Sequence, residues 1–280
     1  SRSHAARARW LRFSCALKVT SQISCLARKS PSGLAKLQRC RFQLHLFGNW
    51  TMSLNSVIEM RSAAGFLDIM NYRHAYHAGN FADVLKHSVL ALCLLYLRNK
   101  TQPFRVIDTH AGIGLYDLAG DEALRTGEWR EGIGLIENEV FEPAVAALLA
   151  PYLDTVRLIR QMEGAQAYPG SPLITQHALR PDDRMILNEK HPADQILLEQ
   201  AVGRDRRIKV LALDGYIALK AHVPPPERRG LVLIDPPFED KREFDSLLHG
   251  FAKAYAKWPT GCYVLWYPLK NKDQTDAFAL

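Results

Sequence analysis

Five short, nearly uninterrupted apolar runs, at residues 104–108, 185–189, 208–213, 231–234 and 263–267, mark the body of the chain. Runs of this length without polar alternation read as strands buried on both faces, as in a parallel sheet covered by helices. Helical spacing fills the gaps between them. It is clearest over 81–97, where Val84, Leu85, Val89, Leu92, Leu95 and Tyr96 recur behind Asn80, a plausible N-cap after Gly79. The pattern predicts a Rossmann-like α/β domain.

Each strand run closes on polar chemistry. The 231–234 run stops at Asp235-Pro236-Pro237-Phe238, because proline cannot donate to the ladder and forces its predecessor extended. Asp235 and the Pro236 carbonyl can then accept hydrogen bonds from an exocyclic NH2 group while Phe238 stacks on the ring that carries it. The first run ends at Asp108 and continues as Thr109-His110-Ala111-Gly112-Ile113-Gly114, a small-residue turn that lets backbone approach a nucleotide-like ligand. It lacks a third glycine and a Walker lysine, which argues against NAD and against ATP hydrolysis. Glu189 closes the second run, where such folds hold ribose hydroxyls, and Asp214-Gly215 follows the third. Taken alone, Glu189 reads equally as a solvated strand end. In a compact fold the ribose acid follows the glycine loop by about 20 residues. Here 81 residues separate Asp108 from Glu189, so a small helical insertion is expected after the first strand, over about 115–180 with its best helical run at 137–161.

Charge divides the chain. Residues 1–58 hold ten Lys or Arg and no acid, so the net charge of +7 leaves 26 basic against 29 acidic residues in the remainder. Any RNA contact by the body must therefore use a local basic patch. The Arg- and Ser-rich leader, taken as 1–69, has two readings: a mitochondrial or plastid transit peptide, or sequence upstream of a true start at Met70. No window reaches the apolar length of a membrane span, and Cys93 and Cys262 sit in apolar surroundings as buried thiols of a reducing compartment would. A soluble intracellular protein is expected. The segment Tyr72-Arg73-His74-Ala75-Tyr76-His77, with Lys86-His87, suits stacking on a base and contacting phosphate. Its three histidines find no Cys or acid at metal-ligand spacing, so no metal is expected.

A glycine loop, two acids and an amine clamp on one sheet edge describe a class I S-adenosylmethionine-dependent methyltransferase acting on an amino group. The chain resembles the bacterial 23S rRNA (adenine-N6) methyltransferases. The resemblance is carried by Tyr72-Arg73-His74, His77-Ala78-Gly79-Asn80 with Ala82 to His87, Asp108 to Gly112, Tyr168-Pro169-Gly170-Ser171-Pro172, Glu189 with His191-Pro192, Asp214-Gly215, Ile234 to Pro237 and Trp266-Tyr267-Pro268, over about 70–267. It implies that His87, His110, Ser171, Glu189, Asp214 and Gly215 line the S-adenosylmethionine pocket, with Gly112 and Gly114 as its loop. Asp235 would be the catalytic acceptor and Tyr72 would touch RNA, to which the aromatic and cationic cluster adds Arg73 and Lys86 as RNA contacts. It further implies a monomer that acts in the bacterial cytoplasm on 23S rRNA free of ribosomal proteins, without a metal. Members of the family continue past the Trp-Tyr-Pro strand, so a domain spanning 70–280 is expected to lack its closing elements. Two rivals stay open: a DNA or other amino-group methyltransferase built on the same Asp-Pro-Pro-Phe, and an inactive RNA-binding fragment.

Overall fold

The computed structural model describes residues 74–240 and 242–267, together with the backbone of five short leader strands, Leu17–Thr20, Gln38–Arg39, Phe42–Leu46, Trp50–Leu54 and Glu59–Met60. Met70, Tyr72, Arg73 and Pro268 lie outside the described residues, as does most of the 1–69 segment. In chain order the strands of the body are β1 (Arg105–Asp108), β2 (Leu115–Asp117), β3 (Ala167–Pro169), β4 (Arg184–Asn188), β5 (Ile208–Leu211), β6 (Gly230–Ile234) and β7 (Cys262–Leu265). The helices are α1 (Phe81–Arg98), α2 (Asp121–Thr126), α3 (Ile133–Ile136), α4 (Pro143–Glu163), α5 (Ser171–Ala178), α6 (Pro192–Val202), α7 (Gly215–His222) and α8 (Glu243–Lys257).

Five strands form one parallel sheet in the order β5-β4-β1-β6-β7. The central three are buried along almost their whole length, which is why their sequences run apolar without alternation. Val106 pairs with Met185 on one side and Leu231 on the other, so the ends of β4, β1 and β6 lie level. Strand order reverses between β1 and β6, the place where open α/β sheets leave a crevice for ligands. One apolar core, built on Phe104, Leu90, Leu94, Tyr152 and Tyr168, lies under α1, α4, α5 and α6. A second, with Leu219, Leu247, Trp258 and Tyr263, lies under α7 and α8. Cys93 and Cys262 are half-buried thiols packed against the first core.

The insertion is helical but enters and leaves through strands: β2 pairs antiparallel with β3, Tyr116 facing Tyr168. It closes at Pro169, because α5 belongs to the sheet's own helical layer, against β1 and β4. Its long helix starts at Pro143 instead of residue 137; proline fits the first turn, where its missing N–H would be unpaired anyway.

Candidate active site

Asp235 leaves the end of β6 and meets a cation from across the sheet. Its Oδ2 accepts from Lys86 Nζ at 2.5 Å, and the same Nζ lies 2.9 Å from Asp83 Oδ1. Lys86 and Asp83 side chains are only 5% and 2% exposed, against 18% for Asp235. The segment before α1 sets this up. Asn80 caps the helix by accepting from Asp83 N, while Asp83 Oδ2 accepts from Gly79 N and from His74 Nε2, each at 3.0 Å. Burial pushes the Asp83 carboxyl up, but His74, Lys86 and His87 outweigh it and hold the group well below the usual carboxylate range. Lys86 is therefore not a surface contact for RNA phosphate, as the sequence suggested. It is buried, and its charge is taken up by two carboxylates.

Beyond Asp235, Pro236 is buried and Pro237 exposed. Phe238 has φ 54°, in the left-handed region that a bulky side chain rarely adopts. Its ring lies 4.9 Å from that of Phe244, half-buried at the head of α8.

The glycine loop turns above the end of β1. Asp108 is 2% exposed and accepts from Ser171 Oγ at 2.6 Å and from His110 N at 3.3 Å. Burial outweighs those hydrogen bonds and pushes its carboxyl up to about 6. Gly112, at φ +63°, donates its N–H to Glu189 Oε2 at 2.9 Å, and His191 N donates to Oε1 at 2.8 Å. A Cβ on Gly112 would stand 2.4 Å from Tyr116 Oη, so this turn admits no side chain. Gly114 packs against Leu198 and Ala201 of α6. The His110 ring rests on Gly215, where a Cβ would meet it at 2.6 Å, and sits edge-on to Tyr216. Burial lowers the His110 imidazole to about 4. Asp214 Oδ1 caps α7 by accepting from Tyr216 N and Ile217 N, with Lys190 3.6 Å from Oδ2.

His87 lies deeper than a pocket lining. It is 1% exposed, its Nδ1 is 2.9 Å from Tyr168 Oη, and Tyr168 in turn meets Tyr152 Oη at 3.0 Å. Burial holds its imidazole down to about 3. A cleft of about 280 Å³ opens beside the loop, between His74, Gly112, Tyr116, Asp117 and Asp194. The structure thus gathers Asp235, His110, Ser171, Glu189, Asp214, Gly112 and Gly215 on one edge. Sequence reasoning passed over Asp108 and Asp83. A buried acid ending the first strand, and an Asp/Lys pair on the apolar stripe of α1, were the available signals. Among the described residues no group of three or more His, Cys, Asp or Glu side chains could hold a metal.

A parallel sheet in this order, with a glycine turn and acids at its carboxyl edge, is that of a Rossmann-like class I methyltransferase. A family model described as "Ribosomal RNA large subunit methyltransferase D, RlmJ" matches residues 101–280, and the chain belongs to that family. It is 44% identical over 206 residues to Ribosomal RNA large subunit methyltransferase J of Escherichia coli (strain K12), covering 74% of this chain and 72% of the relative. The Haemophilus influenzae protein of the same name is 40% identical over 208 residues, covering 74% and 73%. A crystal structure of a DUF519-family protein from Legionella pneumophila superposes with a TM-score of 0.64 at 37% identity, covering 72% of this chain and 74% of the other.

Proposed function

We propose that this chain transfers a methyl group from S-adenosylmethionine to the exocyclic N6 of an adenine in large-subunit ribosomal RNA. The carrying observation is Asp235 at the mouth of β6, fixed by a buried lysine next to the Pro236 carbonyl. Membership in a ribosomal RNA methyltransferase family supports the substrate class.

The edge fits the cofactor. Gly112 turns its bare backbone toward Glu189, His110 is seated on Gly215, and the carboxylates of Glu189, Asp214 and Asp108 offer acceptors for hydroxyls and amines. Glu189 would hold ribose hydroxyls, Asp108 with Ser171 the amino-acid end, and Asp214 the adenine side. When bound, S-adenosylmethionine supplies an electrophilic methyl group on sulfur. The rest is the work of the protein. The N6 lone pair of adenine is delocalised into the ring and is a poor nucleophile; Asp235 Oδ1 and the Pro236 carbonyl draw it out of conjugation by accepting the two N–H bonds. Lys86 keeps Oδ2 occupied and so turns Oδ1 toward the amine. Phe238, on its left-handed turn, offers a ring face to the base. The methylated amine is far more acidic than neutral adenine, so its proton passes to Asp235 downhill.

The test is incubation with labelled cofactor and either protein-free 23S rRNA, assembled large subunits or duplex DNA, followed by nucleoside analysis. N6-methyladenosine from naked rRNA is expected. Label confined to DNA, or to another nucleoside, would remove the reading. We further read the active unit as a monomer working in the cytoplasm, where ribosomes are assembled. No helix among the described residues is long and apolar enough to cross a membrane.

A further inference from the structure

The body carries a small net negative charge, yet its reading as an RNA methyltransferase requires a polyanion to settle on it. A groove of about 250 Å³ between α7 and α8 has the required chemistry. Lys220 on α7 and His249, Lys253 and Lys257 on α8 line it, with Tyr216 and Ile217 at its head, and no acid is among the lining residues. His249, Lys253 and Lys257 are spaced four apart, so they stand one above another on one exposed helix face. The like charges of Lys253 and Lys257, four residues apart, disfavour the helix. Nothing described offsets this: no described carboxylate pairs with Lys220, Lys253 or Lys257, and Lys257 Nζ reaches only the Lys220 carbonyl, at 3.1 Å. Three arginines away from the groove are, by contrast, paired with carboxylates. Arg180 is paired with Asp183, Arg207 with Asp205 and Arg105 with Glu227.

The groove also starts in the right place. α7 begins at Gly215, under His110, and α8 begins just after the Asp235–Phe238 turn, where Tyr216 Oη donates to Glu243. Both helices then run away from the methyl-transfer edge. From Ser246 to Lys257 the lining covers about 16 Å at roughly 1.5 Å per residue, the axial length of about five nucleotides of one strand at roughly 3.4 Å each. We propose that the α7–α8 groove holds the phosphate backbone of the rRNA segment flanking the target adenine. This rests on the RNA reading above and adds the surface that positions the substrate.

The experiment uses the full chain and a fluorescently labelled transcript of a large-subunit rRNA fragment containing the methylated adenine, with affinity measured by anisotropy over a range of salt. The variant K220Q/K253Q/K257Q should bind about tenfold more weakly, and the slope of log K against log[salt] should flatten by about 2, since each phosphate contact contributes roughly 0.7–0.9. Cofactor affinity and the thermal midpoint should be unchanged. K253Q alone, the milder change, should flatten the slope by about 0.7–0.9. Parental affinity and slope in both variants would overturn the groove. Nucleoside analysis of the same transcript separates the two claims. Binding that depends on the lysines without N6-methyladenosine would leave the groove standing and sink the reaction, whereas methylation with lysine-independent binding would do the reverse.

Discussion

The β6 end of the sheet and the β4–β5 ends both present carboxylates, but they hold them by different means. Asp235 is fixed by a side chain 149 residues away, on a helix that must pack across the sheet before Lys86 can reach it. Glu189 and Asp214 are fixed by backbone N–H groups of the glycine turn, of His191 and of the helix that Asp214 itself begins. His191 and the first turn of α7 anchor locally, whereas Gly112 lies 77 residues from Glu189 and Lys86 149 residues from Asp235, so both of those contacts wait for the sheet to assemble. The two sides differ in kind: a buried ion pair holds the amine side, and neutral backbone donors hold the cofactor side.

Changes at the β6 end should show the largest effects. Asp235→Ala is expected to lower methyl transfer by roughly 10²- to 10⁴-fold while cofactor affinity holds; activity near the parent's would take Asp235 out of the mechanism. Lys86→Met leaves Asp83 buried without its cation, and breaking such a pair costs about 3–5 kcal/mol, to be read from urea unfolding. Adding Asp235→Asn to it should cost little more, because the two share one interaction; full additivity would show that they are independent. On the other side, Glu189→Ala should weaken cofactor binding at least about tenfold, as expected for a charge-assisted hydrogen bond of ~1.5–3 kcal/mol, and leave transfer at saturating cofactor close to normal. Unchanged affinity would make Glu189 an ordinary strand end.

The smallest effect is on acid stability. His87 and His110 are held down to about 3 and about 4, so on acidification from their ordinary range the unfolded chain takes up two protons that the fold refuses. Stability then falls as pH drops. Asp108, pushed up to about 6, works the other way: the fold keeps its proton while the unfolded chain loses it, and that share of stability disappears as pH rises toward 6. Asp83 is held low and titrates beneath this window. With His222, which burial also holds below its ordinary range, the histidines outnumber the one carboxyl and leave a net loss of at least one proton's slope between roughly pH 4 and 6. His87→Asn should reduce the slope by about one proton. A parent chain that grows more stable on acidification through this window would contradict the balance.

The sheet was legible because its strands are buried on both faces and therefore spell themselves as apolar runs, each with its polar stop. Strand ends moved by a residue or two, as with β4, which stops at Asn188 and leaves Glu189 just outside. Asp235 was legible because two prolines isolate it. Lys86 was misread since a lysine beside a histidine on a helix suggests a surface, and the partner that buries it is remote in sequence. Its spacing held the clue. Asp83, Lys86, Leu90, Leu94 and Leu97 are all buried on α1, a charged pair riding on an apolar stripe. Nor could composition reveal that His87 would meet Tyr168 and Tyr152, which arrive from the far end of the insertion.

That insertion leaves and rejoins the domain through one short antiparallel ladder of three pairs, with Tyr116 beside Tyr168 at its centre. Its two ends are thus neighbours, and chain can be added or lost between α2 and α4 without shifting the register of the parallel sheet. Freedom stops at the hinge itself, where Tyr168 and Tyr152 are joined to His87 on α1. In this chain a resized cassette would have to return the strand that restores that tyrosine–histidine seam.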